Sequence, residues 1–153
     1  MRALFGPASR PWWLVAAAAP LLAWVWAGAG MGQRLPVREP LTDIAWLALL
    51  ALAEELVFRG GVHAALRRYA ALTRRVLHIS AANALASLAF ALAHGLAQPA
   101  LNVLALWPVS LVLGVAYERS GERLALPVAL HLWFNLALYA ASGWWMRSPA
   151  PGA

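Results

Sequence analysis

Apolar residues run along this chain in five blocks, separated by short polar or basic stretches. The first covers about Pro11 to Gly30. A polar connector from Gln33 to Pro40 leads to the second, Leu41 to about Phe58, which offers Thr42 as an N-cap. The third runs from about Val76 to Gly95, the fourth from Ala100 to Tyr117 and the fifth from Leu124 to Trp145, ahead of a short tail, Ser148 to Ala153. A bilayer-crossing helix needs ~20 mostly apolar residues, and each block is close to that length. The pattern therefore predicts an all-α, polytopic transmembrane helical bundle of about five spans. It divides into an N-terminal helix and connector over residues 1–40, a core over 41–146 and a tail over 147–153.

Composition supports lipid as the solvent. Of 153 residues 63% are hydrophobic and 12% charged, against roughly 25% charged in soluble domains. All the basic residues are arginines, and the heavy use of alanine and tryptophan suits a bacterial protein. The net charge of +6 is what arginines bordering apolar spans produce. No aromatic-basic face is present, so nucleic acid is not a predicted partner. Cysteine is absent, which excludes disulfides, thiolate metal sites and a cysteine nucleophile. The first block resembles a signal peptide in following Arg2 and Arg10. It reads as an uncleaved helix, because Trp12, Trp13, Trp24 and Trp26 suit interfacial anchoring and further spans follow. With five spans, Arg2, Arg10, Arg67, Arg68, Arg74, Arg75, Arg119 and Arg123 fall on one side and Arg34, Arg38 and Arg147 on the other. The positive-inside rule then places the N-terminus in the cytoplasm and the C-terminus outside, in a multi-pass protein of the cell inner membrane.

The second block is interrupted by Glu54, Glu55 and Arg59, and its helical pattern continues through His63 to Arg68 as an amphipathic extension. Each ionised side chain at mid-bilayer costs on the order of 2.5–3.5 kcal/mol, so these residues need partners. Glu55 and Arg59 lie four apart, acid first, in the favourable orientation for a pair on one helix face. Glu54 points about 100° away and is left over. His94 ends the third block, and His131 and Asn135 share a face of the fifth. Glu54, His94, His131 and Asn135 thus form a candidate site between three helices. A desolvated carboxylate tends towards the range in which it takes a proton from water. A histidine can orient that water or carry a proton to a leaving amine. His131 and Asn135 can donate hydrogen bonds to an oxyanion.

Three stretches in order, Glu54-Glu55-Leu56-Val57-Phe58-Arg59-Gly60, Phe90-Ala91-Leu92-Ala93-His94 and His131-Leu132-Trp133-Phe134-Asn135, resemble the CPBP family of intramembrane proteases, which includes the eukaryotic prenyl-protein endopeptidase and many bacterial relatives. The resemblance runs from about Leu50 to Tyr139 and takes in Leu113-Gly114-Val115-Ala116-Tyr117-Glu118-Arg119-Ser120-Gly121. It implies a glutamate-dependent intramembrane endopeptidase in which Glu54 is the general base, His94 positions the water, and His131 with Asn135 forms the oxyanion side. Glu55 and Arg59 are supporting residues. It implies a membrane-associated protein or peptide as substrate, with a leader or a C-terminal sorting or anchor segment favoured for a small bacterial member. No cofactor is expected. The alternative is zinc held by Glu54, His94 and His131, set back by the lack of a His-Glu-x-x-His pattern and by an amide where a third strong ligand would help. A non-enzymatic membrane scaffold or immunity protein and a proton-relay transporter are the other readings.

The remaining polar residues read more plainly. His63 and His78 are expected at the interface, and Glu118 and Glu122, with Arg119 and Arg123, in a solvated turn without chemistry. Ser80, Asn83, Ser87 and Asn102 are expected to join helices, and Trp144 and Trp145 to sit in an interfacial belt. One geometric conflict stands: straight spans put His94 near the outer end of its helix and His131 nearer the cytoplasmic end of its own. A bend at Pro127 or Pro108, a helix entering only partway, or different boundaries must bring them together.

Overall fold

In a computed structural model of the chain, Pro40 opens the first described helix, α1 (Pro40–Glu55), at a position where its missing N–H is no loss and its fixed φ is already helical. The described residues are 40–96 and 100–147, with side chains at 40–96 and 106–141, together with Leu14, Ala18, Leu22 and Val25. The rest of the first apolar block and the tail 148–153 lie outside them, as do the side chains of Asn102, Trp144 and Trp145.

As expected, the helical path continues beyond Phe58. Helix α1 passes into a π-helical segment (Leu56–His63) and then into α2 (Ala64–Arg67), giving one helical path from Pro40 to Arg67. Its buried residues fall at every fourth position: Leu47, Ala51, Glu55, Arg59 and His63. In an α-helix a four-residue step overshoots a turn by about 40°, whereas in a π-helix, with about 4.4 residues per turn, the same step falls short of one. The change of winding at Leu56 thus steers Arg59 and His63 back onto the buried face.

After a 3₁₀ turn (Ala70–Thr73) the chain forms a two-stranded antiparallel hairpin, β1 (Arg75–Val76) and β2 (Ile79–Ser80), pairing Arg75 with Ser80 and Val76 with Ile79. The helix predicted from Val76 therefore begins later, as α3 (Ala81–Gly95). Ser80 caps it, its hydroxyl accepting from the Asn83 backbone N–H at 3.0 Å. Helices α4 (Ala100–Arg119) and α5 (Ala125–Arg147) match the fourth and fifth blocks closely. Pro108 lies inside α4, and Pro127 lies in the first turn of α5, where no intrahelical donor is needed.

The described residues are overwhelmingly helical, as expected, and no helix among them is long and apolar enough to cross a membrane. Helices α1 and α3 have 16 and 15 residues, fewer than the ~20 of a full span.

Helices α4 and α5 meet over Leu113, Ala116 and Leu130, backed by Leu126 and Phe134. Helices α3 and α4 approach through small residues. A Cβ on Gly114 would overlap the carboxamide of Asn83, which donates from Nδ2 to the Leu111 carbonyl at 3.0 Å and accepts from the Ser87 hydroxyl at 3.0 Å. The expected inter-helix bonding holds for Asn83, which reaches α4, whereas the Ser87 hydroxyl bonds within α3 to Asn83. Gly114→Ala must displace this buried amide, and we expect it to lower stability by about 1–3 kcal/mol, read as a fall in the melting temperature of the purified protein.

Candidate active site

Glu55 is the buried centre of the site. Its side chain is fully enclosed, with Oε2 3.2 Å from Arg59 Nε, so the predicted pair forms. The same carboxylate does more: Oε1 lies 2.8 Å from Nδ1 of His131 on α5. Arg59 in turn donates from Nη2 to both the carbonyl and the hydroxyl of Ser110, each at 2.8 Å. Its guanidinium lies over the Phe90 ring, 5.2 Å from the centroid, which adds a cation–π contact. The chain Ser110, Arg59, Glu55, His131 thus joins α4, the π-helical segment, α1 and α5 through buried groups. Ser110 went unnoticed in the sequence because a single serine in an apolar block carries no signal of a partner 51 positions away.

Glu54 lies beside this chain and is partly open, its side chain 26% exposed. Its Oε1 is 3.7 Å from Nε2 of His94 and its Oε2 3.4 Å from Nε2 of His131. Both rings are held from behind. His94 Nδ1 is 3.0 Å from the Phe90 carbonyl, which can only accept, so that nitrogen carries the hydrogen. His131 Nδ1 donates to the Glu55 carboxylate in the same way. In the neutral rings Nε2 is then the lone-pair atom, and both lone pairs face Glu54. Phe90 lies against both imidazoles, with ring centroids 4.3 Å from His94 and 5.9 Å from His131. The structure brings Glu54, His94 and His131 together. Asn135 follows one turn after His131, half-buried and outside this network of contacts.

The conflict of depths is resolved by boundaries. Because α1 runs on through the π-helical segment to Arg67, Glu54 stands mid-way along a continuous helical path. Because α3 begins at Ala81, its last turn, with His94, reaches only to that level. His131, in the second turn of α5, meets them there.

A second polar cluster closes the end of the bundle one to two turns beyond Arg59. Glu118 was expected in a solvated turn, but it lies on α4 with its side chain 1% exposed. It accepts a hydrogen bond from the Ser80 hydroxyl, one from His63 Nε2 at 3.0 Å and one from Arg75 Nη2 at 2.8 Å, and pairs with Arg67 Nη1 at 3.3 Å. Glu122, more exposed, pairs with Arg67 Nε at 2.8 Å. His63, expected at the interface, is fully buried instead. Only tertiary contact puts a histidine of the π-helical segment opposite a carboxylate on α4. His78, at the hairpin turn, is exposed.

Burial, reinforced by the Arg59 and Arg67 charges, holds His63 below the ordinary 6.5 despite its bond to Glu118. The neutral ring donates from Nε2, which leaves Nδ1 buried without a hydrogen-bond partner. Burial acts to raise the Glu118 carboxyl, but the bonds from Ser80 and His63 and the charge of Arg67 outweigh it and hold it below 4.5. Both shifts have the same consequence. As pH falls through 6.5 the unfolded chain protonates His63 while the folded protein does not, and below 4.5 the same holds for Glu118. Stability is therefore highest above pH 6.5 and falls on acidification. His63→Gln, which keeps a donor for Glu118, is expected to flatten the part of this loss that begins near 6.5, read from melting temperature against pH.

The class defined by fold and site is a helical bundle that holds a carboxylate and two tethered imidazoles in its interior. The sequence model of the type II CAAX prenyl endopeptidase Rce1-like family matches residues 36–137, and the chain belongs to this family. The match spans every residue of the cluster described above. The family is one of membrane peptidases. No curated protein and no solved structure matches the chain.

Proposed function

We propose that the protein is an intramembrane endopeptidase that hydrolyses a peptide bond of a membrane-associated protein or peptide, with Glu54 activating the attacking water. The observation that carries this reading is the Glu54 carboxylate facing the Nε2 atoms of His94 and His131 at 3.7 and 3.4 Å. A water held in that space can give one hydrogen to Glu54 and direct the other at an imidazole lone pair, which leaves an oxygen lone pair free for a carbonyl carbon. Glu54 takes the proton as the C–O bond forms. The Asn135 carboxamide donates to the oxyanion, joined by His131 in the form that has taken a second proton onto Nε2 from solvent before the attack, with Glu55 balancing its charge. Collapse of the intermediate breaks the C–N bond, and the proton passes through Glu54 or His94 to the leaving amine. Arg59 and Glu55 support the site by holding His131 in place.

No metal or cofactor enters this reaction. Zinc on Glu54, His94 and His131 is the alternative. Stoichiometric zinc in the purified protein and loss of activity on chelation would support the zinc reading.

Exposed Leu49, Leu52, Val57, Leu88 and Leu92 present the kind of outward apolar surface that lipid covers. With the arginine distribution they support a multi-pass inner-membrane protein of about five spans, N-terminus in the cytoplasm and C-terminus outside. The substrate segment is a leader peptide or a C-terminal sorting or anchor sequence, and the core is residues 41–146.

The test is mass spectrometry of membrane-anchored proteins from cells carrying wild-type or Glu54→Ala protein at equal expression. A processed terminus that disappears only with Glu54→Ala identifies the substrate. Termini unchanged across the proteome would favour a scaffold or immunity protein. Proton flux in proteoliposomes abolished by Glu54→Gln, without cleavage, would favour a proton relay.

A further inference from the structure

We propose that the hairpin between α2 and α3 is a lipid-contacting element that seats the basic end of the bundle on an anionic bilayer surface, with Leu77 as its apolar tip. The hairpin turns through Leu77 and His78 at φ 50° and 71°. Two-residue hairpin turns with both residues left-handed are normally made by Asn-Gly or similar pairs, and a leucine there is strained. Turn formation alone does not account for it. Nor does packing, since Leu77 is 88% exposed, Val76 76% and Tyr69, just before the 3₁₀ turn, 67%.

The loops at this end of the bundle are basic. Arg68, Arg74, Arg75, Arg119 and Arg123 are all exposed. The two carboxylates at this end are already engaged, Glu118 by Ser80, His63, Arg67 and Arg75, and Glu122 by Arg67. An apolar tip at an end of the bundle where exposed arginines outnumber carboxylates matches an interface of acyl chains under anionic headgroups. A second copy of the same surface would bring arginines against arginines. The hairpin is also tied to the bundle, through Arg75 to Glu118 at 2.8 Å and the Ala81 N–H to the Arg74 carbonyl at 3.1 Å. Its seating in the headgroups therefore fixes the depth of α3 and α4.

The chain contains no cysteine, so Leu77→Cys gives the full-length protein a single attachment point for an environment-sensitive fluorophore. The labelled protein is placed in nanodiscs of phosphatidylcholine alone or with about one third phosphatidylserine, and quenching is measured with shallow spin-labelled lipid and with aqueous iodide. Quenching by the lipid probe is expected to exceed that by iodide and to increase with phosphatidylserine, and Arg68→Gln/Arg74→Gln is expected to cut the phosphatidylserine-dependent part about twofold or more. Val76→Cys, on the paired strand, provides a second reporting position. Quenching by iodide and not by lipid at both positions would overturn the proposal and leave the tip as a surface for an acidic protein. Equal lipid quenching in both bilayers would overturn the recognition of anionic headgroups.

Discussion

Glu54→Gln is expected to lower peptide cleavage by about 10³-fold, within the range general-base groups contribute, while leaving folding stability nearly unchanged. The substitution keeps the shape and size of the side chain and removes its charge and its capacity to take a proton. Stability should survive because Glu54 is partly exposed and its imidazole neighbours stand at 3.4 and 3.7 Å, longer than strong hydrogen bonds. The measurement is single-turnover cleavage of an identified substrate in nanodiscs, with melting temperature as the control. Cleavage by Glu54→Gln at near wild-type rate would remove Glu54 from the base role. Loss of activity together with loss of bound zinc would transfer the role to a metal.

Arg59→Ala is expected to destabilise the protein by about 3–5 kcal/mol, because it strands the Glu55 carboxylate in an enclosed site. Glu55 is fully buried and has two partners, Arg59 and His131, and the loss of one leaves it to neutralise or to draw on the other. The substitution also removes the Ser110 bonds and the contact over Phe90. Chemical unfolding of the single variants Arg59→Ala and Glu55→Gln and of the double variant separates the effects. The double variant should be more stable than the sum of the two losses implies, since no uncompensated charge remains. Strict additivity would mean that Glu55 and Arg59 are not coupled.

Residue chemistry made much of the site legible. Acidic residues in an apolar block are expensive enough that Glu54, Glu55 and Arg59 stood out at once. The four-residue spacing of Glu55 and Arg59 identified the pair that the structure forms. The convergence of Glu54, His94 and His131 could be expected because isolated polar groups on separate apolar helices have few other places to go. Asn135 shares the helix face predicted for it and stays outside the contacts that unite the other three.

What the sequence did not reveal depends on winding, on boundaries and on distant partners. Apolar periodicity does not distinguish an α-helix from a π-helical stretch of the same residues, so the continuation to Arg67 was legible but the π-helical winding over Leu56–His63 was not. Apolar content likewise placed Val76 and Leu77 in a helix, although Ser80 and the hairpin start α3 later and bring His94 to the same level. Glu118 and Ser110 are ordinary residues in isolation and acquire their roles from His63 and Arg59, each more than 50 positions away. By itself the sequence determined the helical class, the family pattern and the residues that need polar company, because these follow from the energetics of single side chains and from local spacing. Only the tertiary structure decided which groups meet: His131 held by Glu55, Arg59 by Ser110 and His63 by Glu118. Those pairings depend on how helices of unequal length and winding pack side by side.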